Sequence, residues 1–312
     1  MKNIGISIFC FFIISMAFTQ HNDTLMPNWK LKGVYALNGT QSSFVNWNAG
    51  GRNSVSLLGS IELSTKFSKN KIKWDNDLGL ALGGLQYFGN SAERDIQKTD
   101  DKIDYATTFG LHLKKDLYAS IIGGFKTQFL DGFSLPNDSV RVSTFMAPGY
   151  ATLAIGLDYS PNDVFSVFVS PISAKMTFVQ DQLLANAGAF GVRGAEFDSI
   201  GNVVTPGANF RPEFGAYIKL KFEKTLAENI EVKTKLELFS NYLDHPENID
   251  INSEMIFNFK VNNWFSASLN LNLLYDNDID ILDADGGYGP RTQFKSVIGV
   301  GVAYTMKNYK ED

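Results

Sequence analysis

The chain has 312 residues, 28 basic against 33 acidic side chains, 44% hydrophobic residues and a single cysteine. That hydrophobic content with a net charge of only −5 excludes a disordered chain, and acidic and basic residues so evenly spread exclude an electrostatic surface for nucleic acid. The length suffices for one large closed fold or two medium domains.

Met1-Lys2-Asn3 followed by the apolar run Ile4–Phe18 and small residues at Ser15 and Ala17 reads as a secretory signal peptide over 1–19. The apolar run is shorter than the roughly 20 residues of a spanning helix. The lone Cys10 lies inside this leader without the small residues a lipoprotein needs before it, so the exported chain is expected to carry no disulfide. Residues 20–28 form a short polar leader.

From Trp29 onward the apolar residues recur with period two rather than at helical spacing. Trp29–Leu37, Val55–Phe67, Trp74–Leu82, Ile103–Leu113, Leu117–Phe129 and Ala151–Tyr159 are the first six alternating segments. Phe165–Phe178 is the seventh, and its parity switches at Pro171, which predicts a β-bulge. Phe214–Phe222, Ile230–Leu238, Ile249–Val261, Phe265–Tyr275 and Phe294–Tyr304 complete the set. No other stretch is apolar enough for a helical span.

Between them, short connections (68–71, 114–116, 160–163, 224–229, 262–263) alternate with mostly long ones (43–52, 89–102, 130–149, 180–211, 244–248, 276–292). An even number of tilted strands joined by alternating short and long loops is the pattern of an outer-membrane barrel. Aromatics gather beside the short turns, at Phe67, Trp74, Tyr159, Phe165, Phe222, Trp264 and Phe265, as an interfacial girdle requires. The expected fold is therefore all-β: a transmembrane antiparallel up-and-down barrel of about 12 strands over 29–306, with a polar tail over 307–312. It is expected in the outer membrane of a Gram-negative bacterium with both termini periplasmic. A secreted all-β protein is the competing fold.

Several segments resemble an uncharacterised domain-of-unknown-function family of outer-membrane β-barrel proteins from Bacteroidota. They are Ser43-Phe44-Val45-Asn46-Trp47-Asn48-Ala49-Gly50-Gly51-Arg52-Asn53-Ser54, Trp74-Asp75-Asn76-Asp77-Leu78, Lys98-Thr99-Asp100-Asp101-Lys102 and Gly289-Pro290-Arg291-Thr292-Gln293-Phe294-Lys295. The resemblance runs from about Trp29 to Met306 and implies fold and compartment, with no chemistry attached. Barrels of this kind end on an aromatic read by the outer-membrane insertion machinery, an expected partner during assembly; Tyr304 and Tyr309 are both candidates.

Within the barrel, the face opposite the apolar one is expected to line a lumen. Lys219, Lys221, Glu231, Lys233, Lys235, Glu237, Asp250, Glu254 and Lys260 fall on it, and both signs on adjacent strands predict ion pairs along one wall. Strands two, three, eleven and twelve are expected to contribute Ser, Asn, Gly and Ala instead. Asn46, Trp47, Gly50 and Gly51 make a loop whose paired glycines suit a tight turn. Asp276, Asp278 and Asp280 are a weak calcium candidate, since no EF-hand glycine or closing Glu follows them. No metal or other cofactor is otherwise expected.

Three functions follow from this reading. A narrow passage for small polar solutes is preferred. A structural or assembly barrel binding protein or lipopolysaccharide through its loops is the alternative, and Gln180–Arg211 is a candidate plug of the lumen. A membrane-embedded hydrolase would need His112 and Ser120, placed on one face of neighbouring strands, to hydrogen-bond with a third orienting group. No enzymatic activity is expected, and outer-membrane lipids are the expected surroundings.

Overall fold

A computed structural model describes residues 28–43, 52–88, 96–134, 139–262, 264–282 and 287–309. Twelve antiparallel strands close into one barrel, each hydrogen-bonded to its sequence neighbours and the last to the first. They are β1 (Trp29–Ser42), β2 (Asn53–Lys69), β3 (Ile72–Phe88), β4 (Gln97–Lys114), β5 (Leu117–Thr127) and β6 (Gly149–Tyr159), followed by β7 (Phe165–Phe178), β8 (Phe210–Ala227), β9 (Ile230–Asn241), β10 (Ile249–Lys260), β11 (Phe265–Tyr275) and β12 (Gln293–Lys307). Closure leaves no unpaired strand edge, which a barrel surrounded by hydrocarbon cannot tolerate. The leader and the loop holding Asn46, Trp47, Gly50 and Gly51 lie outside the described residues.

The short connections are built by residues that suit them. Asn70 and Asp116 take left-handed backbone conformations (φ 56° and 59°) in two of the tight turns, a region that Asn and Asp enter more readily than most residues. In two others an asparagine side chain caps the next strand: Asn162 Oδ1 accepts from the Val164 and Phe165 amides, and Asn262 Oδ1 from those of Trp264 and Phe265. Both ends of the barrel, Trp29 and Lys307, lie at this short-turn end.

The predicted bulge is present. Gly156 of β6 is skipped in the pairing, Ile155 facing Ile172 and Leu157 facing Val169, so that Ser170 and Pro171 occupy the extra length of β7. Ser170 Oγ secures the distortion by donating to the carbonyls of Ile155 and Ile172 at 2.8 and 2.7 Å. Lys98–Lys102, expected at the end of a long loop, instead forms the start of β4. Thr99 is the extra residue there, because Gly83 faces Asp100 while Gly84 faces Lys98; the bulge breaks the alternation on which the strand assignment depends.

Leu37, Leu57, Leu82, Leu153, Ile155, Ile172, Ile298 and Val302 all stand exposed on the outer wall. Moving each such side chain from water to hydrocarbon is worth roughly 1.5–3 kcal/mol, so this wall belongs in lipid. Aromatic pairs mark its two borders. Trp29 packs on Phe67 and Trp74 at the short-turn end, with ring centroids 5.0 and 5.7 Å apart. Phe178 meets Phe210 at 5.1 Å and Phe214 meets Tyr242 at 6.3 Å at the long-loop end. The polar outward residues beside the first border satisfy one another. Trp74 Nε1 donates to Thr107 Oγ1, and Thr107 and Tyr105 both donate to Asn76 Oδ1, at 2.8, 2.8 and 3.0 Å.

At the seam, Tyr304 of β12 lies on the outer wall opposite Tyr35 of β1, 66% exposed. Tyr309 turns the other way, to the mouth of the lumen under the Lys30 ammonium. Asn308 fastens the tail by accepting from the Leu31 amide and donating to the Trp29 carbonyl.

The long loops carry short elements that alternation did not reveal: a helix over Gln182–Asn186 and hairpins Gly132–Phe133/Arg141–Ser143, Glu196–Phe197/Val203–Thr205 and Asp280–Leu282/Tyr288–Pro290. The segment 179–209 does not plug the barrel. It lines neither lumen cavity, and its Val179, Leu184, Ala185 and Val192 pack with Ala147 of the neighbouring loop.

His245, exposed in the loop after β9, is held above its ordinary pKa by its hydrogen bond to Glu247, the charges of Glu247 and Asp244 adding to this. A raised value means that the contact is fully present below the free-histidine pKa of about 6.5 and fades as pH rises through the raised one. In an NMR titration, His245 should titrate above a free histidine and drop towards it in Glu247→Gln; an unmoved midpoint would refute the contact.

Candidate functional site: the charged lumen

Eight of the nine charged residues expected inside line two cavities of the lumen: Lys219, Lys221, Glu231, Lys233, Lys235, Glu237, Asp250 and Glu254. Lys260 ends β10, exposed at the short-turn rim and outside both. The cavity at the short-turn end measures about 440 Å³ and reaches Asp163, Lys224 and Tyr309; the one at the long-loop end measures about 430 Å³ and reaches Gln128, Pro148 and Ile279.

The charges pair differently from the sequence expectation. Contacts between neighbouring strands are the loose ones, Lys233–Glu223 at 3.9 Å and Lys175–Glu213 at 3.7 Å. The short ones cross the lumen. Lys32 of β1 reaches Glu223 and Glu231 at 3.3 and 3.2 Å, and Lys233 of β9 reaches Glu62 of β2 at 3.2 Å. Lys221 meets Asp77 of β3 at 2.6 Å, Lys235 meets Asp104 of β4 at 3.3 Å, and Lys102 of β4 meets Glu254 of β10 at 2.6 Å. Lys126 of β5 joins Glu237 of β9, and Lys175 of β7 joins Asp250 and Asp276 at 2.6 and 2.9 Å. Strands two and three therefore supply carboxylates as well as small residues. The physical reason is reach: a lysine stem is long enough to carry its ammonium from one wall to a carboxylate on the other.

Six residues line both cavities: Lys102, Asp104, Ala106, Lys219, Lys235 and Glu254. They form a waist crossed by two ion pairs, Lys102–Glu254 and Lys235–Asp104. Lys219 is the third cation there. An apolar cluster of Ile122, Ala154, Phe168, Tyr217 and Phe239 fills the β5–β9 side of the lumen and narrows the path further.

The remaining expectations fall as follows. Asp276 binds Lys175, and Asp278 binds Arg211, so both are already engaged by cations of the chain; Asp280 pairs with Pro290 in a hairpin. Among the described residues no three potential metal ligands converge. Ser120 Oγ is buried with no hydrogen-bond partner, and the His112 ring lies against Tyr118 at 5.3 Å, so the Ser-His pair is not formed.

Two family-like motifs from distant parts of the sequence meet. In Lys98–Lys102, Asp101 accepts from the Phe129 and Leu130 amides at 2.7 and 2.8 Å, which ties down the loop after β5. Asp100 binds Lys295, the last residue of the Gly289–Lys295 motif, at 3.0 Å. Sequence reading assigned neither motif a partner.

Two families match parts of the chain: a protein of unknown function, DUF3078, over residues 40–133, and another, DUF481, over residues 191–283. Neither spans half of it. The first contains the Ser43, Trp74 and Lys98 motifs; Gly289–Lys295 lies beyond both. No curated protein matches. Among solved structures, an outer membrane channel of Pseudomonas putida F1 is 10% identical with a TM-score of 0.39, covering 92% of this chain and 99% of its own. The translocator domain of autotransporter NalP from Neisseria meningitidis is 11% identical with a TM-score of 0.33 and 90% coverage of both chains. The P. putida toluene transporter TodX is 12% identical with a TM-score of 0.33, covering 92% of this chain and 81% of its own. These likenesses are too distant to transfer any property to this chain.

Proposed function

We propose that the protein is an outer-membrane channel for small polar solutes whose lumen is closed at its waist by ion pairs. The observation that carries this reading is the pair of cavities with charged side chains in their walls, one towards each mouth, which share the six-residue waist. The apolar wall with its aromatic borders supports the membrane setting, and the shared position of both barrel ends supports periplasmic termini. The export leader over 1–19, the Bacteroidota family likeness, recognition of a terminal aromatic by the insertion machinery and the absence of enzymatic activity belong to the same reading.

Single-channel recording of the refolded, leader-free chain tests it. The native chain should conduct weakly, and Lys102→Met/Glu254→Leu, which removes one of the two waist pairs, should raise the conductance several-fold. Silence of both proteins, with heat-modifiable migration showing a folded barrel, would sink the channel reading.

One observation favours a second reading, a barrel that binds protein or lipopolysaccharide through its loops. The hairpin within Glu196–Thr205 exposes Phe197, Ile200 and Val204 at the long-loop end. Nothing in the Ser120 and His112 geometry supports a hydrolase.

A further inference from the structure

Lys219 differs from every other charge at the waist. Lys102 and Lys235 each hold a carboxylate across the lumen, whereas the Lys219 ammonium has no ion pair and no hydrogen bond among the described residues, although the residue is only 4% exposed. Its position explains why. Directly across the strands stand Phe168 on β7 and Glu237 on β9. Glu237 is already saturated: it accepts from Tyr217 Oη at 2.8 Å and Asn252 Nδ2 at 3.0 Å and is bound by Lys126. Asp77, the other carboxylate whose charge reaches Lys219, accepts from Lys221 at 2.6 Å and Ser64 at 2.9 Å. Lys219 lines both cavities, so it can be reached by an occupant of either.

A buried ammonium without a counter-charge is costly, and it is relieved either by losing its proton or by taking up a mobile anion. With all three lysines protonated, Lys102, Lys219 and Lys235 face two carboxylates at the waist, Asp104 and Glu254. One negative charge neutralises it; a dianion would leave excess negative charge beside those carboxylates.

We propose that Lys219 forms the binding site for a small monovalent anion, a halide or a formate-sized carboxylate, at the waist of the lumen. Its consequence for transport, a preference for anions, rests on the channel reading, but binding itself does not.

Chloride-35 NMR of the folded barrel in zwitterionic detergent separates the two. The native chain should broaden the chloride line saturably, formate should compete, and Lys219→Met should bring the linewidth down to that of detergent alone. Lys114→Met, which removes an exposed lysine outside both cavities, should broaden it like the native chain. Removing an unpaired buried charge is not expected to threaten folding, and heat-modifiable migration checks that. Broadening that formate leaves unchanged means a site for halide only, within the class proposed. Absence of saturable broadening in the native chain, or equal broadening in Lys219→Met, overturns the site. Lys219-dependent broadening from a barrel that is silent in bilayers upholds the site and counts against the channel. In a conducting barrel, Lys219→Met should lower the anion-to-cation permeability ratio.

Discussion

Gly156→Ala is expected to destabilise the barrel by at least about 3 kcal/mol, and to lower the yield of heat-modifiable protein on refolding. A Cβ on Gly156 would stand 2.1 Å from the Val169 carbonyl oxygen and 2.8 Å from the Ser170 Cα, both backbone atoms of the bulge. No rotamer relieves such a clash. The chain must either open the bulge, losing the two carbonyl contacts of Ser170 Oγ, or displace β7 from β6. Opening it would shift the register by one residue and exchange the faces of everything beyond, turning Lys175 towards lipid. Gly59→Ala is the matched control, because the nearest atom to its Cβ is the Leu82 carbonyl oxygen at 3.9 Å. It should stay within about 0.5 kcal/mol of the native chain. Urea unfolding in micelles reads both, and equal midpoints would show that the bulge yields without resistance.

The second large effect is expected at Glu237. Glu237→Gln keeps the size of the side chain and an acceptor for the Tyr217 hydroxyl, but removes the only carboxylate bound to Lys126 among the described residues. Breaking a buried pair from one side costs about 3–5 kcal/mol, because the remaining charge is stranded. Both side chains keep some exposure, 30% for Lys126 and 14% for Glu237, so the lower end of that range is expected here. Lys235, which also approaches Glu237 at 3.6 Å, retains Asp104 at 3.3 Å and loses less. The double variant Lys126→Met/Glu237→Gln should recover most of the loss, since nothing is then stranded. A double-mutant cycle showing simple additivity would mean that the two side chains contribute independently.

These effects mark the division between what could be read in the sequence and what could not. Which residues face lipid and which face the lumen was legible, because side-chain direction in a strand follows locally from the pleat. Leu153 and Ile155 alternate with Ala154 and Gly156 in the sequence as they do in the wall. The parity change at Pro171 likewise betrayed the bulge of β7. The bulge at Thr99 was hidden, since it falls among polar residues whose alternation carries no signal, and β4 was consequently begun too late. The helix at Gln182–Asn186 was missed because five residues are too few to display a helical period.

The lumen was legible only as a set. Lys219, Lys221, Lys233 and Lys235 could be assigned to its lining from β8 and β9 alone, but their partners could not. Neighbouring carboxylates looked the natural choice, yet Lys221 found Asp77 and Lys233 found Glu62, far away in the sequence. What the sequence by itself determined was the count of strands, their faces and the alternation of short and long loops, all consequences of local geometry. What only the tertiary structure decided was the height at which each side chain meets the opposite wall. Closure of the barrel sets the stagger of the strands around the ring, and that stagger pairs Lys102 with Glu254, Lys235 with Asp104, and Lys219 with no carboxylate among the described residues.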